Sequence, residues 1–483
     1  MSNKPRININ SIRYWNSVAS DLVATDYSYR ANTSGAALRK APDQPGPTAT
    51  SRAQALIHLA MYNAIRVAAG QPLLLGVNAA MQTAPAIPAG INVDIAVANA
   101  AHYAAQQLYP TQIGFLNDEL TCYSDVNGLP LHYPSASFGQ KIAQATLMAH
   151  ANDGSAQWIR NPADQIVPSD APGQHRADPH APAQGALHRH WGGVHSFSLP
   201  AGTYGSISAP PPLNSALYLK SYNEVLVDGR EDIPLRNPLK AMIGVFWAYD
   251  GPNKLGTPPR LYNQVVAAVA DLNIAGLTGN ARRDDDARLF ALVNVGMCDA
   301  GISAWHWKYI YNFWRPVLGI REAGDANPLA SAANPNPPQI GASGPDGIGD
   351  GNSKTVGDPF WCPLGAQATN EKEFNGLNVT PGFPAYPSGH ATFGTTAFYL
   401  AAAHYNKKPE QIKFDFVSDE FNGKNADAKG VIRPNIKRSF SLKTADEENR
   451  ISRVYLGVHW KFDADGGHEL GKDIAIKVRQ LFP

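Results

Sequence analysis

The apolar residues of this chain return every three or four positions along most of its length, and that rhythm restricts it to a mainly helical architecture. Between Arg52 and Ala69, the residues Ala55, Leu56, Leu59, Ala60, Tyr62, Ala64 and Ile65 trace one face of a helix. Similar patterns run through 91–108, 138–151, 237–249, 258–272 and 284–314. Alternation with a period of two is short and rare, so the fold class expected is all-α. The 42 glycines and 38 prolines cluster between the periodic segments and predict long irregular loops. Two such stretches stand out, 160–212 and 324–386. Loops of that length in a compact protein act as covers or carry function. The predicted division is an N-terminal helical half at 1–155, a Pro/Gly/His-rich connection at 156–212, and a C-terminal helical half at 213–483. No short-period repeat is present, which argues against a solenoid.

Charge excludes several functions. The 41 basic and 40 acidic residues leave a formal net charge of +1, without the basic stripe that nucleic-acid binding requires. No run approaches the ~18 uninterrupted apolar residues of a membrane span. No apolar leader core follows Met1, so the expectation is a soluble protein, cytoplasmic or exported without a classical leader. Cys122, Cys298 and Cys362 are too few and too dispersed for a disulfide framework or a structural zinc site.

Three separated segments carry the chemistry. The first is Trp305-His306-Trp307-Lys308-Tyr309-Ile310-Tyr311-Asn312-Phe313-Trp314-Arg315-Pro316. Lys308 and Arg315 are seven apart, so on a continuous helix both project from one face, with Trp305 a turn earlier and Pro316 stopping the helix. A Lys and an Arg so aligned suit a tetrahedral oxyanion, one as a point charge and one as a planar fork. Alone, the pair reads as readily as a solvated basic face.

The second segment is Pro381-Gly382-Phe383-Pro384-Ala385-Tyr386-Pro387-Ser388-Gly389-His390, opening a helix over about 390–404. Ser388 and Gly389 then lie at a helix N-terminus, where free N–H groups and the dipole favour an anion. His390 is an acid or base near neutral pH. An ordinary helix cap is the competing explanation.

The third runs from Thr444 to Asp463. Thr444 with Glu447 forms a capping box that starts a helix, and Gly457 is a fitting residue to end it. Arg453 lies on that helix, and His459 leaves it. Asp463, four residues on, is placed to fix the tautomer of a metal-binding or nucleophilic His459.

In this order, Lys-x6-Arg-Pro, Pro-Ser-Gly-His and Ser-Arg-x5-His-x3-Asp form a three-part signature. It resembles that of the superfamily joining type-2 phosphatidic acid phosphatases, bacterial acid phosphatases and vanadium-dependent haloperoxidases. The flanks are similar to the fungal-type vanadium chloroperoxidases. They include Phe246-Trp247-Ala248-Tyr249-Asp250-Gly251, Asp299-Ala300-Gly301-Ile302, Phe313-Trp314-Arg315-Pro316 and Leu456-Gly457-Val458-His459-Trp460. A fainter likeness lies around Tyr14-Trp15-Asn16.

The resemblance implies two packed four-helix bundles with vanadate at the end of the second, bound covalently through His459 as the metal ligand. Lys308, Arg315, Ser388, Gly389 and Arg453 would hold its oxygens, and phosphate fits the same place. His390, Lys308 and His459 are the implied catalytic residues. His390 assists proton transfer from hydrogen peroxide, and Lys308 polarises the bound peroxide that halide attacks. Asp250 is implied to pair with an arginine of the cage. Trp305 and Phe383 match an aromatic pair on the halide side, where an apolar wall strips water from chloride. The implied activity is oxidation of chloride and bromide to hypohalous acid, which passes to organic halogen acceptors. The alternative on the same residues is an acid phosphatase with His459 as nucleophile and His390 as acid.

Three other features read as structural. The histidines at 175, 180, 188, 190 and 195 fit no compact ligand spacing and suggest a polar loop over the mouth of the site. Asp346, Asp350 and Asn352 lack the glutamate of a calcium loop and suggest a plain turn. Asp284-Asp285-Asp286 suggests a helix N-terminus.

Overall fold

In a computed structural model, the structure describes residues 9–482 except 32–36, 40–41, 130–131, 160–165, 167–168, 170, 183, 232–236, 252–253, 324–349, 359, 366–379 and 427–429. The described chain is helical as expected. Its helices are α1 (Ser11–Asp26), α2 (Gly46–Ala68), α3 (Val93–Leu108), α4 (Ile113–Val126), α5 (Tyr133–Ala149), α6 (Ser155–Ile159) and α7 (Ala216–Asp228). There follow α8 (Pro238–Phe246), α9 (Pro258–Asp271), α10 (Gly279–Tyr311), α11 (Pro316–Arg321), α12 (Gly389–His404), α13 (Leu442–Tyr455) and α14 (Lys461–Leu481). Among the described residues, strands form only two hairpins: β1 (Tyr29–Ala31) with β2 (Ala37–Arg39), and β3 (Lys413–Asn422) with β4 (Asn435–Ser441).

Helix α10 organises the packing. It lies against α2 on one side and against α12 and α14 on the other, while α2 also packs on α3 and α5. Buried apolar residues from Ile12 to Phe482 therefore form one large core cluster, and a second one gathers around Tyr218, Trp314, Trp361 and Trp460. By length and composition α10 is apolar enough to cross a membrane, but 94% of its most apolar stretch is buried inside the protein. A helix apolar all round belongs in a core, which accounts for its composition.

Local chemistry shifts some boundaries. Helix α13 begins at Leu442, because Ser441 caps it and shares a reciprocal capping box with Thr444; Thr444 is thus inside the first turn and is not its cap. Asp284 to Asp286 lie beyond the first turn of α10, whose cap is Thr278. Their negative charge goes to specific partners instead: Asp285 to His404, and Asp286 to Asn10 and Arg282. Asp350 accepts from the Asn352 N–H and the Thr355 hydroxyl, closing a turn, whereas Asp346 lies outside the described residues.

A candidate oxyanion site

The largest departure from the sequence expectation falls on Arg315. Helix α10 stops at Tyr311, and Asn312 takes a left-handed conformation with φ 46°. Arg315 is then the residue that caps α11, with Pro316 in the first position of that helix, where a missing N–H costs nothing. Lys308 and Arg315 are therefore not two turns apart on one helix. A bend in the chain brings them to the same place, and extended backbone holds it: Gln174 and the Ala385 N–H flank Phe313 on either side.

All three motif segments meet here. Lys308 Nζ donates to the carbonyls of Pro384 (2.8 Å) and Ala385 (3.0 Å). Arg315 donates through Nε to Phe383 O (3.0 Å), and through Nη1 to Val458 O (2.8 Å) and His459 Nε2 (3.0 Å). Arg453 donates through Nη2 to both carboxylate oxygens of Asp250 (2.8 and 3.1 Å). The Ser388 N–H donates to Asp463 O (2.9 Å), tying the start of α12 to the start of α14. Gly467 makes that junction possible: a Cβ there would lie 2.6 Å from Ser388 O.

The hydrogen bonds assign the tautomers of both histidines. His459 donates from Nδ1 to Asp463 Oδ2, which also accepts from the Trp460 N–H, so Nε2 carries the lone pair that faces Arg315. Burial, followed by Arg315, Lys308, Arg453 and His390, holds the His459 imidazolium well below its usual range. Burial pushes the Asp463 carboxyl up to about 8, against the pull of Lys308, the Trp460 N–H and Arg315. His390 donates from Nε2 to Ala248 O at 2.6 Å, with Asp250 Oδ1 at 3.4 Å, which leaves Nδ1 as its basic atom. Burial and then Arg453 keep that ring neutral.

Asp250 is held from behind. Tyr249 has φ 43°, a strained value for a bulky residue, and the β3 strand pins it: Tyr249 N–H donates to Glu420, and the Asp419 N–H donates to the Tyr249 hydroxyl. Burial pushes the Glu420 carboxyl up to about 7. Sequence reading missed Glu420, Tyr249 and the carbonyls of Ala248, Phe383 and Val458. Backbone carbonyls leave no trace in side-chain spacing, and the Phe-Asp-Phe alternation of β3 was the one signal for the strand.

An oxyanion suits this donor set. Lys308, Arg315 and Arg453 are buried, and among the described residues the carboxylates set against their three charges are Asp250 and Asp463. Arg315 Nη2 and Arg453 Nε and Nη1 are buried without any hydrogen-bond partner, and such orphaned charged donors call for an acceptor. Ser388 caps α12, whose first N–H groups at Gly389 and His390 lack intrahelical acceptors. Burial above all pulls Lys308 and Arg315 below their ordinary values, and a bound anion would relieve that strain. The residues present thus fit an oxyanion such as vanadate or phosphate, and His459 Nε2 presents a lone pair toward Arg315. Trp305 and Phe383 stand beside the cations, with ring centroids 4.8 Å apart and Lys308 Nζ 5.1 Å from the Phe383 ring.

The loop histidines scatter. His188 bonds Thr48 and stacks on Trp191, His180 bonds Arg321, and His190 and His195 are exposed. Only His175 approaches the cage. The loop itself lies against the site, since the Leu187 carbonyl accepts from Trp305 and Tyr309, and the Leu187 N–H donates to Gly382 O.

Known proteins resemble this chain over part or all of its length. Residues 288–482 match the family described as the VCPO second helical-bundle domain. Vanadium chloroperoxidase of Curvularia inaequalis is 38% identical over 263 residues, a stretch covering 49% of this chain and 38% of that protein. A bacterial vanadium-dependent iodoperoxidase superposes with a TM-score of 0.66 at 21% identity, covering 99% of this chain and 98% of its own. A holo-type bacterial vanadium-dependent chloroperoxidase superposes with a TM-score of 0.61 at 14% identity over the full length of both chains. These two likenesses bear on the fold alone. The chain thus shares the fold of these haloperoxidases, its residues 288–482 are similar to the VCPO second helical-bundle domain, and it spans well under half the length of the curated relative it matches.

Proposed function

We propose that this protein is a vanadate-dependent haloperoxidase that oxidises chloride and bromide with hydrogen peroxide to hypohalous acid. The observation that carries the reading is the set of buried, unpartnered guanidinium N–H groups around a histidine whose Nδ1 is committed to Asp463. Bound vanadate supplies a Lewis acid that activates peroxide without changing oxidation state.

The chain's residues supply the rest. His459 Nε2 would anchor the group, and Arg315, Arg453, Lys308 and the Ser388–Gly389 helix terminus would balance its charge. His390 Nδ1 accepts the proton that hydrogen peroxide gives up on binding, while its Nε2–H stays on Ala248 O. Asp250 holds Arg453 in place through two hydrogen bonds. Lys308 keeps two of its protons on backbone carbonyls, and its charge would polarise a peroxide oxygen held by the group. Trp305 and Phe383 exclude water from the halide, which strengthens these fields. Organic halogen acceptors then react with the hypohalous acid.

The test is halide oxidation by phosphate-stripped protein with hydrogen peroxide and chloride, bromide or iodide, with and without added vanadate. Activity that requires vanadate and disappears in His459→Ala supports the reading. Cleavage of p-nitrophenyl phosphate without peroxide, and no halide oxidation, would assign the same residues to a phosphatase with His459 as nucleophile.

A further inference from the structure

A third imidazole lies beside the cage without a task. His175 is 2% exposed, and neither of its ring nitrogens has a hydrogen-bond partner. A neutral imidazole always carries one N–H and one lone pair, so burying both without partners costs as much as stranding two polar groups. The backbone explains why it is there. The His175 N–H donates to Asn312 O (2.7 Å) and the Trp314 N–H to Gly173 O (2.9 Å), a ladder that fixes residue 175 along the bend between Lys308 and Arg315. Burial is the largest influence keeping this ring neutral, and Arg315 and Lys308 are the charges that follow. Arg315, which directly follows the Trp314 held by Gly173 O, has its own orphaned donor, Nη2. Two buried groups lacking an acceptor, on adjacent pieces of backbone, share a need that one bound oxygen satisfies.

We propose that His175 is a further contact residue of the oxyanion pocket, donating a ring N–H to an oxygen of the bound oxyanion on the Arg315 side. This rests on the oxyanion reading of the site and adds a loop residue to a cage otherwise built from the helical segments. It also gives the loop after residue 171 a part in binding beyond covering the mouth.

The test reads binding and not turnover. Affinity of phosphate-stripped protein for vanadate, and separately for inorganic phosphate, is measured by equilibrium dialysis for wild type, His175→Phe and His175→Gln. A hydrogen bond to a charged oxygen predicts that His175→Phe weakens both by about tenfold or more, while His175→Gln stays within about threefold. Unchanged affinity in a folded His175→Phe overturns the assignment. Should His175→Phe fail to fold, His175→Ala is read with and without imidazole; recovery of affinity supports the contact, and no recovery overturns it. Wild type that binds neither oxyanion would instead overturn the oxyanion reading itself.

Discussion

His459 Nδ1 lies 2.9 Å from Asp463 Oδ2, four residues on and one helix cap away. The same oxygen receives the Trp460 N–H, so one carboxylate starts α14 and orients the imidazole. That double duty makes the tautomer of His459 a consequence of helix initiation. Asp463→Asn keeps an oxygen for the cap but weakens the pairing with Nδ1–H. It is expected to lower vanadate affinity by roughly 10–100-fold with helix content preserved, measured by equilibrium dialysis beside circular dichroism. Unchanged affinity would mean that Asp463 serves the helix alone.

Phe383 gives a prediction about halide choice. Its ring lies 4.8 Å from that of Trp305 and 4.9 Å from the Arg315 guanidinium carbon. Phe383→Ser admits water to that wall and raises the cost of stripping chloride. The ratio of kcat/KM for chloride over bromide should fall by roughly tenfold, about 1.4 kcal/mol. A ratio that does not move would remove Phe383 from the halide side.

Gly467 links packing to binding. Any Cβ there meets Ser388 O at 2.6 Å and the Ala391 Cβ at 2.7 Å, both on the turn that opens α12. Gly467→Ala should cost about 1–3 kcal/mol of stability in urea unfolding and weaken phosphate and vanadate binding together. Loss of stability with full affinity would show that the start of α12 shifts without consequence for the anion.

His188 gives a prediction about pH. Burial lowers its pKa to about 4, and its Nδ1 sits 2.6 Å from the Thr48 hydroxyl. Below the unfolded value of ~6.5 the unfolded chain binds a proton that the folded chain does not. Stability is therefore lost as pH falls from ~6.5 to ~4. His188→Gln should flatten that decline by one proton, about 3 kcal/mol over the window, when urea unfolding of the two proteins is compared across pH. Parallel curves would refute the assignment.

The helical character, the three motif segments and the candidate site residues were legible in the sequence, because periodicity, prolines and charged residue types are local properties. Lys308, Arg315, Ser388, His390, Arg453 and His459 could be named from spacing and resemblance. Their meeting could not be derived from spacing, and the local geometry expected for Arg315 was wrong. A left-handed Asn312 ends α10, and the chain from 383 to 385 holds Arg315 in place.

What tertiary structure alone decided is which donors are satisfied. The carbonyls of Ala248, Phe383, Pro384, Ala385 and Val458 occupy some N–H groups of the cage and leave others orphaned. Hydrogen-bond partnership depends on distances between segments far apart in the chain, and local sequence carries no information about them. The sequence determined which side chains carry charge, and the fold decided where that charge goes unanswered.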